Sequence, residues 1–241
     1  LIVGDEETYQ FLRDLRVADP ERNSWIRDFP GDWHIMLHCS KAVSTLWWDA
    51  GVDSVAAKLG IDDKKTRDGT HYSRLHHSIC VTYEAIMNVC FDRCYEELYA
   101  AKPRDRSDMK DQVLSWIDRR AESHLTFKLW RQFLRDFPAY IAFRTAVRAG
   151  DFKLRMAAFR RLAPLFCITG KDGYQSLAAH HLLDLTAMPD SDLEVLSELF
   201  SVRNHGGPFS RVGLDEQQEM SNRRVKTVTR KLSLSHMEKV A

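Results

Sequence analysis

No run of about eighteen apolar residues exists in the sequence, so no segment is long enough to cross a bilayer as a helix. Glycine (11) and proline (7) are scarce in 241 residues, which excludes a collagen-like or low-complexity chain. Neither charge is in clear excess: 35 Lys and Arg face 34 Asp and Glu, a formal charge of +1. The broad positive field of many nucleic-acid binders is therefore absent, and any such binding must come from local patches. Five cysteines, an odd number thinly spread, do not make the dense disulfide framework of a small secreted domain and fit a reducing, intracellular compartment. There is no CxxC pair, no Gly-x-Ser-x-Gly elbow and no glycine-rich phosphate loop, which disfavours a zinc ribbon, a serine hydrolase and a P-loop enzyme. The opening LIVGDEETYQ lacks the basic flank and long apolar stretch of a signal peptide. It starts without Met, directly on an apolar run, and we read it as part of a longer protein with strands before Leu1.

What is present is a globular composition, 44% apolar and 29% charged, in a chain long enough for one large domain or two small ones. LIVGD reads as a strand delivering a carboxylate, Asp5, to its end. From Glu6 the apolar positions Tyr9, Leu12 and Leu15 follow a helical period that Asp19-Pro20 stops. Between Trp33 and Gly51 the pattern begins with alternation and turns helical, predicting a brief strand that runs into a helix. Helices are then expected over Val52 to Leu59, Tyr72 to Tyr99, Met109 (capped by Ser107 or Asp108) to about Asp136, Pro138 to Gly150 and Phe152 to Leu165. Two more cover Gly173 to Met188 and Ser191 to Val202. Gly206-Gly207-Pro208 breaks this array, and a polar helix follows from Leu214 to about Val228. No repeat of fixed period is present, which disfavours a solenoid.

Among the 34 acids, Asp5, Asp32 and one of Asp215, Glu216 or Glu219 stand at element ends, where carboxylates from separate elements can converge on Mg²⁺ or Mn²⁺ for phosphoryl transfer. The spacing also suits solvated helix caps. His34 and His38, four apart and followed by Cys39, could share a metal, but no second ligand pair accompanies them and structural histidines are the better reading. Cys90 and Cys94 read as core thiols, and Trp47, Trp48, Trp116 and Trp130 as packing residues. Two basic clusters, one containing Lys153, Arg155, Arg160 and Arg161 and the other Arg223 and Lys226, could contact phosphates or simply form solvated faces.

GDWHIMLHCSKAVSTLWWDAGVDSVAAKLG resembles the "PGDWH…K" block of a large family of transposon-derived animal and fungal proteins known as a domain of unknown function. Gly4, Asp5, Thr8 and Tyr9 match its "vGDqlTye" segment, and Gly150-Asp151 with Gly173 to Leu177 resemble its central block. Pro208, Phe209, Ser210, Asp215, Glu219, Asn222, Arg223 and Lys226 are similar to its "pfs…D…iE…NRd.K" ending. The chain departs from the pattern at His38-Cys39 and at Arg224. The resemblance implies an RNase H-like transposase in which an all-helical insertion separates the last core strand from the final acid. The fold expected is mainly α with a small α/β part: a partial RNase H-like core over 1–50, a helical insertion over 51–206, and a return helix with its tail over 207–241.

On that footing Asp5, Asp32 and Glu219 are the catalytic carboxylates, with Asp5 and Glu219 as metal ligands. His34, which would orient Asp32, joins Asp215, Asn222 and Arg223 in support, and Lys153, Arg155, Arg160, Arg161 and Lys226 contact nucleic acid. The cofactor implied is Mg²⁺ or Mn²⁺, the partner DNA, and the location nuclear; a first acid would precede Leu1, so this stretch alone is expected to be inactive. The alternative is a domesticated, catalytically dead module that binds nucleic acid or protein. An oligomer is compatible with either.

Overall fold

The computed structural model describes residues 1–99 and 109–231 and is mainly helical, with two small sheets of two strands each. The expected Ser107 or Asp108 cap lies outside the described residues. Among those residues no helix is long and apolar enough to cross a membrane. The chain divides into two compact units, one of Leu1–His38 with the chain from Ala142, the other of Cys39–Ile141.

The first unit opens with a βαβ arrangement. Strand β1 (Ile2–Gly4) leads into helix α1 (Glu6–Ala18), which returns the chain to strand β2 (Asp28–Pro30), parallel to β1 with Ile2, Val3 and Gly4 opposite Asp28, Phe29 and Pro30. A parallel pair needs such a crossover because both strands run the same way. Asp5 starts α1 by accepting a 3.0 Å hydrogen bond from the Thr8 amide, and Glu6 and Glu7 add negative charge at the positive end of the helix dipole. Tyr9 and Leu12 bury the inner face, while Phe11 faces solvent.

Helix α2 begins at once after β2, at Asp32, and runs to Trp47. The strand expected at the start of the Trp33 to Gly51 segment is thus corrected. Ile35 and Met36 are already helical, and the pairing falls to the three residues before Gly31. After the second unit the chain returns through α8 (Phe152–Ile168), α9 (Asp172–Ala187) and α10 (Asp190–Leu199). Helix α9 packs on α1, β2 and α8, so these helices belong with the strands. The compact boundaries therefore fall at 38/39 and 141/142, where the sequence reading places them at 50/51 and 206/207.

The stretch expected to end a helix at Val202 instead forms strand β3 (Ser201–Arg203), antiparallel to β4 (Arg211–Gly213) across the Gly206-Gly207-Pro208 turn. The turn residues that end the helical array also permit a hairpin-like return, and Val202 opposite Val212 gives it an apolar pair. Helix α11 (Leu214–Lys231) follows β4 without a linker and packs against β1 and both strands of this sheet.

In the second unit the described residues form helices joined by turns and short loops, with no strand among them. It comprises the rest of α2, α3 (Asp53–Lys58), α4 (Lys64–Arg67), α5 (Tyr72–Tyr99), α6 (Met109–Ser123) and most of α7 (Leu125–Ala149). Trp47, Leu75, Ile79, Phe133, Phe137 and Tyr140 form its core, and the Trp47 indole donates to the Leu129 carbonyl at 3.2 Å. Helix α7 runs through Pro138, whereas the sequence reading starts a helix there; the break falls at His124. Burial of Phe133, Leu134, Phe137, Ala139 and Tyr140 on both sides of the proline compensates for the backbone bond it removes. All five cysteines are free thiols, and burial pushes Cys90 up to about 11, in keeping with its place in the packing.

Candidate functional site

Parallel pairing brings the carboxyl ends of β1 and β2 together, and the Gly31 amide donates to the Gly4 carbonyl at 2.7 Å just beyond them. Asp5 follows β1 and Gly31-Asp32 follows β2, so both segments turn into helices at one edge. Such edges are where open α/β sheets bind ligands.

Helix α2 lacks a side-chain cap of its own because Gly31 precedes it. Asp215, on the first turn of α11, supplies the cap from 182 residues away. Its Oδ1 accepts from the Trp33 amide at 3.2 Å and its Oδ2 from the His34 amide at 3.0 Å. The glycines make this approach possible. A Cβ on Gly31 would collide with the Asp215 carboxylate and stand 2.8 Å from the Gly4 carbonyl oxygen, and one on Gly213 would stand 2.7 Å from Asp215 Oδ1. Gly31→Ala is therefore expected to lower stability by about 1–3 kcal/mol, as overpacking does. Denaturant titration against Gly206→Ala, where a Cβ meets open space, measures the difference.

Asp215 also holds His34, whose Nδ1 lies 3.0 Å from Oδ2. The Asp215 carboxylate accepts, so Nδ1 carries a proton in this contact. The Trp33 indole meets the imidazole edge-on with centroids 4.7 Å apart. The expectation that His34 orients Asp32 is corrected: its carboxylate partner is Asp215. His38 points to a different neighbourhood, stacking on Tyr174 at 3.9 Å.

Asp32 turns inward. It is 1% exposed and meets Arg155, which is 0% exposed, through Nε at 3.0 and 3.2 Å and Nη2 at 2.6 Å. The guanidinium lies 4.5 Å from the Phe29 ring centre, with Phe143, Phe152 and Phe159 around it. Its Nη1 donates to His181 Nε2 at 3.1 Å, which places the His181 proton on Nδ1 because arginine cannot accept. Burial raises the Asp32 carboxyl to about 6; Arg155 opposes that rise and Asp215 adds to it. Burial, then Arg155, keeps His181 well below the ordinary histidine range.

His181 thus stays neutral in the folded protein while the unfolded chain protonates near 6.5. Acidification below that value must lower stability, by at most about 1.4 kcal/mol per pH unit from this one group. Asp32 acts in the opposite sense between about 6 and its unfolded value of 3.8, since there the folded state binds its proton more readily. His181→Gln keeps an acceptor for Arg155 and cannot titrate. The stability advantage of wild type over this variant is expected to shrink from about pH 7 to about pH 5. Urea unfolding across that range checks it, and a constant advantage would contradict it.

The other expected site residues are distributed as follows. Asp5 is half-buried, within electrostatic range of His34, and the Thr8 amide holds its carboxyl below the usual value. Glu219 is half-buried one helical turn beyond Asp215 on the same side of α11, with Asn222 and Arg223 following. Glu216 pairs with Arg148 at 3.1 Å. Lys153, Arg160 and Arg161 are exposed on α8, and Arg223 and Lys226 on α11. Arg155, expected on that basic surface, is corrected to the interior: it has no exposure with which to meet a phosphate. The signal is in the sequence, since Phe152, Arg155, Met156, Phe159 and Leu162 are spaced three and four apart, which puts the arginine on the apolar stripe. His181 lies likewise among Tyr174, Leu177, Ala178 and Leu185.

A family of unknown function, DUF6589, matches residues 1–237. The chain belongs to this family. No curated protein and no solved structure matches it. The DUF6589 match spans both compact units and includes every residue of the β1/β2 edge, from Asp5 to Glu219.

For a divalent cation, the donors at this edge are limited. Asp5 uses Oδ1 for Thr8, and both oxygens of Asp215 are engaged. Among the described residues no three His, Cys, Asp or Glu side chains form a ready-made metal cluster. These donors do not make an all-protein cage; a cation at this edge would need most of its oxygen ligands from elsewhere.

Proposed function

We propose that this DUF6589 chain contributes one side of an RNase H-like, transposase-derived site for divalent-cation-dependent phosphoryl transfer on DNA. Asp5 and Glu219 would hold the cation, Mg²⁺ or Mn²⁺, whose chemistry is to polarise a phosphoryl oxygen and activate water. Asp32 is a positioning residue in this reading, because Arg155 occupies its carboxylate. Asp215 and His34 set the start of α2, and Asn222 and Arg223 continue along α11 from Glu219. The observation that carries the reading is the convergence at the carboxyl ends of β1 and β2, where Asp5 follows one strand and α11 brings Asp215 onto the residue after the other. Nicking of duplex DNA by the full-length protein, dependent on Mg²⁺ or Mn²⁺, tests it.

A second reading, a catalytically silent binding module in the nucleus, is favoured by the engagement of Asp32 with Arg155 and of Asp215 with α2. Both readings use the exposed Lys153, Arg160 and Arg161 as DNA-binding groups. Replacing these three by alanine is expected to weaken DNA binding and to flatten its salt dependence, by about 0.9 in the log–log slope for each phosphate that is no longer neutralised. Fluorescence anisotropy over a salt series reads that slope.

A further inference from the structure

We infer that a cavity at the amino ends of β1 and β2 binds a compact apolar amine, with its hydrocarbon body enclosed and its ammonium head beside Asp28 and Asp184. Leu1, which precedes β1, and Asp28, which opens β2, both line this cavity, so it lies at the end of the sheet away from Asp5. It is independent of the phosphoryl-transfer reading. All of its lining comes from the first unit, chiefly from β2, α1, α9 and α10.

The walls select the body. Phe29, Leu185, Met188 and Leu196 bound a space of about 160 Å³, and an apolar cavity of about 150 Å³ is large enough to hold one benzene molecule. A single ring, or a branched alkyl group of similar size, therefore fits. Apolar walls offer no ligands to a bare metal ion, whereas an organic ammonium brings its own apolar contact with it.

The charges select the head. One edge of the Arg16 guanidinium serves two carboxylates: Nη2 donates to Asp184 Oδ2 at 2.7 Å, while Nε lies 3.2 Å from Asp28 Oδ1 but out of line for a hydrogen bond. Asp28 Oδ2 also has no hydrogen-bond partner among the described residues, although this side chain is only 2% exposed. Arg27 gives no relief, since it pairs with Asp192 at 3.3 Å, and burial keeps His181 neutral. The lining thus carries three carboxylates, Asp28, Asp184 and Asp192, against two guanidiniums. Burial raises the Asp28 carboxyl above its ordinary value, with Arg16 opposing and Asp184 adding to the rise. An ammonium beside Asp28 and Asp184 offsets this excess of negative charge, and an anion would increase it.

The test is calorimetry of the full-length protein with benzylamine, set against benzyl alcohol and benzoate as uncharged and anionic counterparts of similar shape. Methyl NMR of protein labelled at its methionines locates the site. Benzylamine is expected to bind at least about tenfold tighter than benzyl alcohol, the gain of a hydrogen bond to a charged partner, and tighter still than benzoate. Met188 should shift first among the seven methionines of the chain. Asp184→Asn keeps the side chain's size, and it is expected to weaken benzylamine at least about tenfold while leaving benzyl alcohol unchanged. Benzyl alcohol or benzoate binding as tightly as benzylamine would overturn the ammonium assignment. Benzylamine that shifts other methionines and leaves Met188 unmoved, or that does not bind at millimolar concentration, would overturn the site. The comparison of the three ligands on wild-type protein does not depend on any variant folding.

Discussion

Arg155→Ala is expected to destabilise the first unit by about 3–5 kcal/mol, a large share of the roughly 5–15 kcal/mol that holds a typical domain. The magnitude follows from what is left behind. Asp32 is buried beside Asp215, and without the guanidinium it must either carry an uncompensated charge in the interior or take up a proton. The side chain also fills the space among Phe29, Phe143, Phe152 and Phe159 and donates to His181. Replacing both partners should behave differently. Asp32→Leu with Arg155→Met removes the charges together, and an apolar substitute of similar volume is often neutral or stabilising. A double-mutant cycle by chemical denaturation is expected to show strong positive coupling between the two positions. A loss below about 1 kcal/mol for Arg155→Ala would mean that the pair behaves like an exposed one.

The second large effect is on chemistry. In the full-length protein, Asp5→Asn and Glu219→Gln are each expected to abolish metal-dependent cleavage of duplex DNA while leaving salt-sensitive binding nearly intact. In the proposed site each change removes a negative oxygen ligand and keeps the side chain's size, so the cation would be lost while the surface lysines and arginines stay. Asp5→Asn keeps an acceptor for the Thr8 amide, so α1 should retain its start. Glu219→Gln keeps the side chain's size on α11, so this variant should leave unfolding nearly unaltered. Cleavage that survives both substitutions would refute the residue assignment, and a wild-type protein that never cleaves in Mn²⁺ would favour the binding module.

The parts of the fold that can be read in the sequence are those governed by local chemistry. The strand ending at Asp5, the α1 stop before Pro20 and the start of α5 follow from apolar period and from residues that cap or break helices. Strand β2 lies a few residues from its expected place because DFP carries no alternating pattern; its pairing is set by the return of α1. The β3/β4 pair escapes a sequence reading for a related reason, since three-residue strands make too short a pattern to separate Val202 from the helix before it. Pro138 misleads because packing of α7 outweighs its local preference. At the site, the placement of Asp5 is legible, whereas the burial of Arg155 against Asp32 joins residues 123 positions apart and the capping of α2 by Asp215 spans 182. Their spacing alone cannot name such partners, although the apolar stripe around Arg155 marks it as an interior arginine.

The proposed cation site at the β1/β2 edge is tested most directly by paramagnetic broadening of backbone amides during Mn²⁺ titration. If Asp5 and Glu219 share a cation, the amides of Gly4, Asp5, Gly31 and Glu219 should broaden together at the lowest Mn²⁺ concentrations, and Asp5→Asn should remove the effect from all of them at once. Broadening confined to other acidic surfaces, or broadening at Asp5 that leaves Glu219 sharp, would contradict the site.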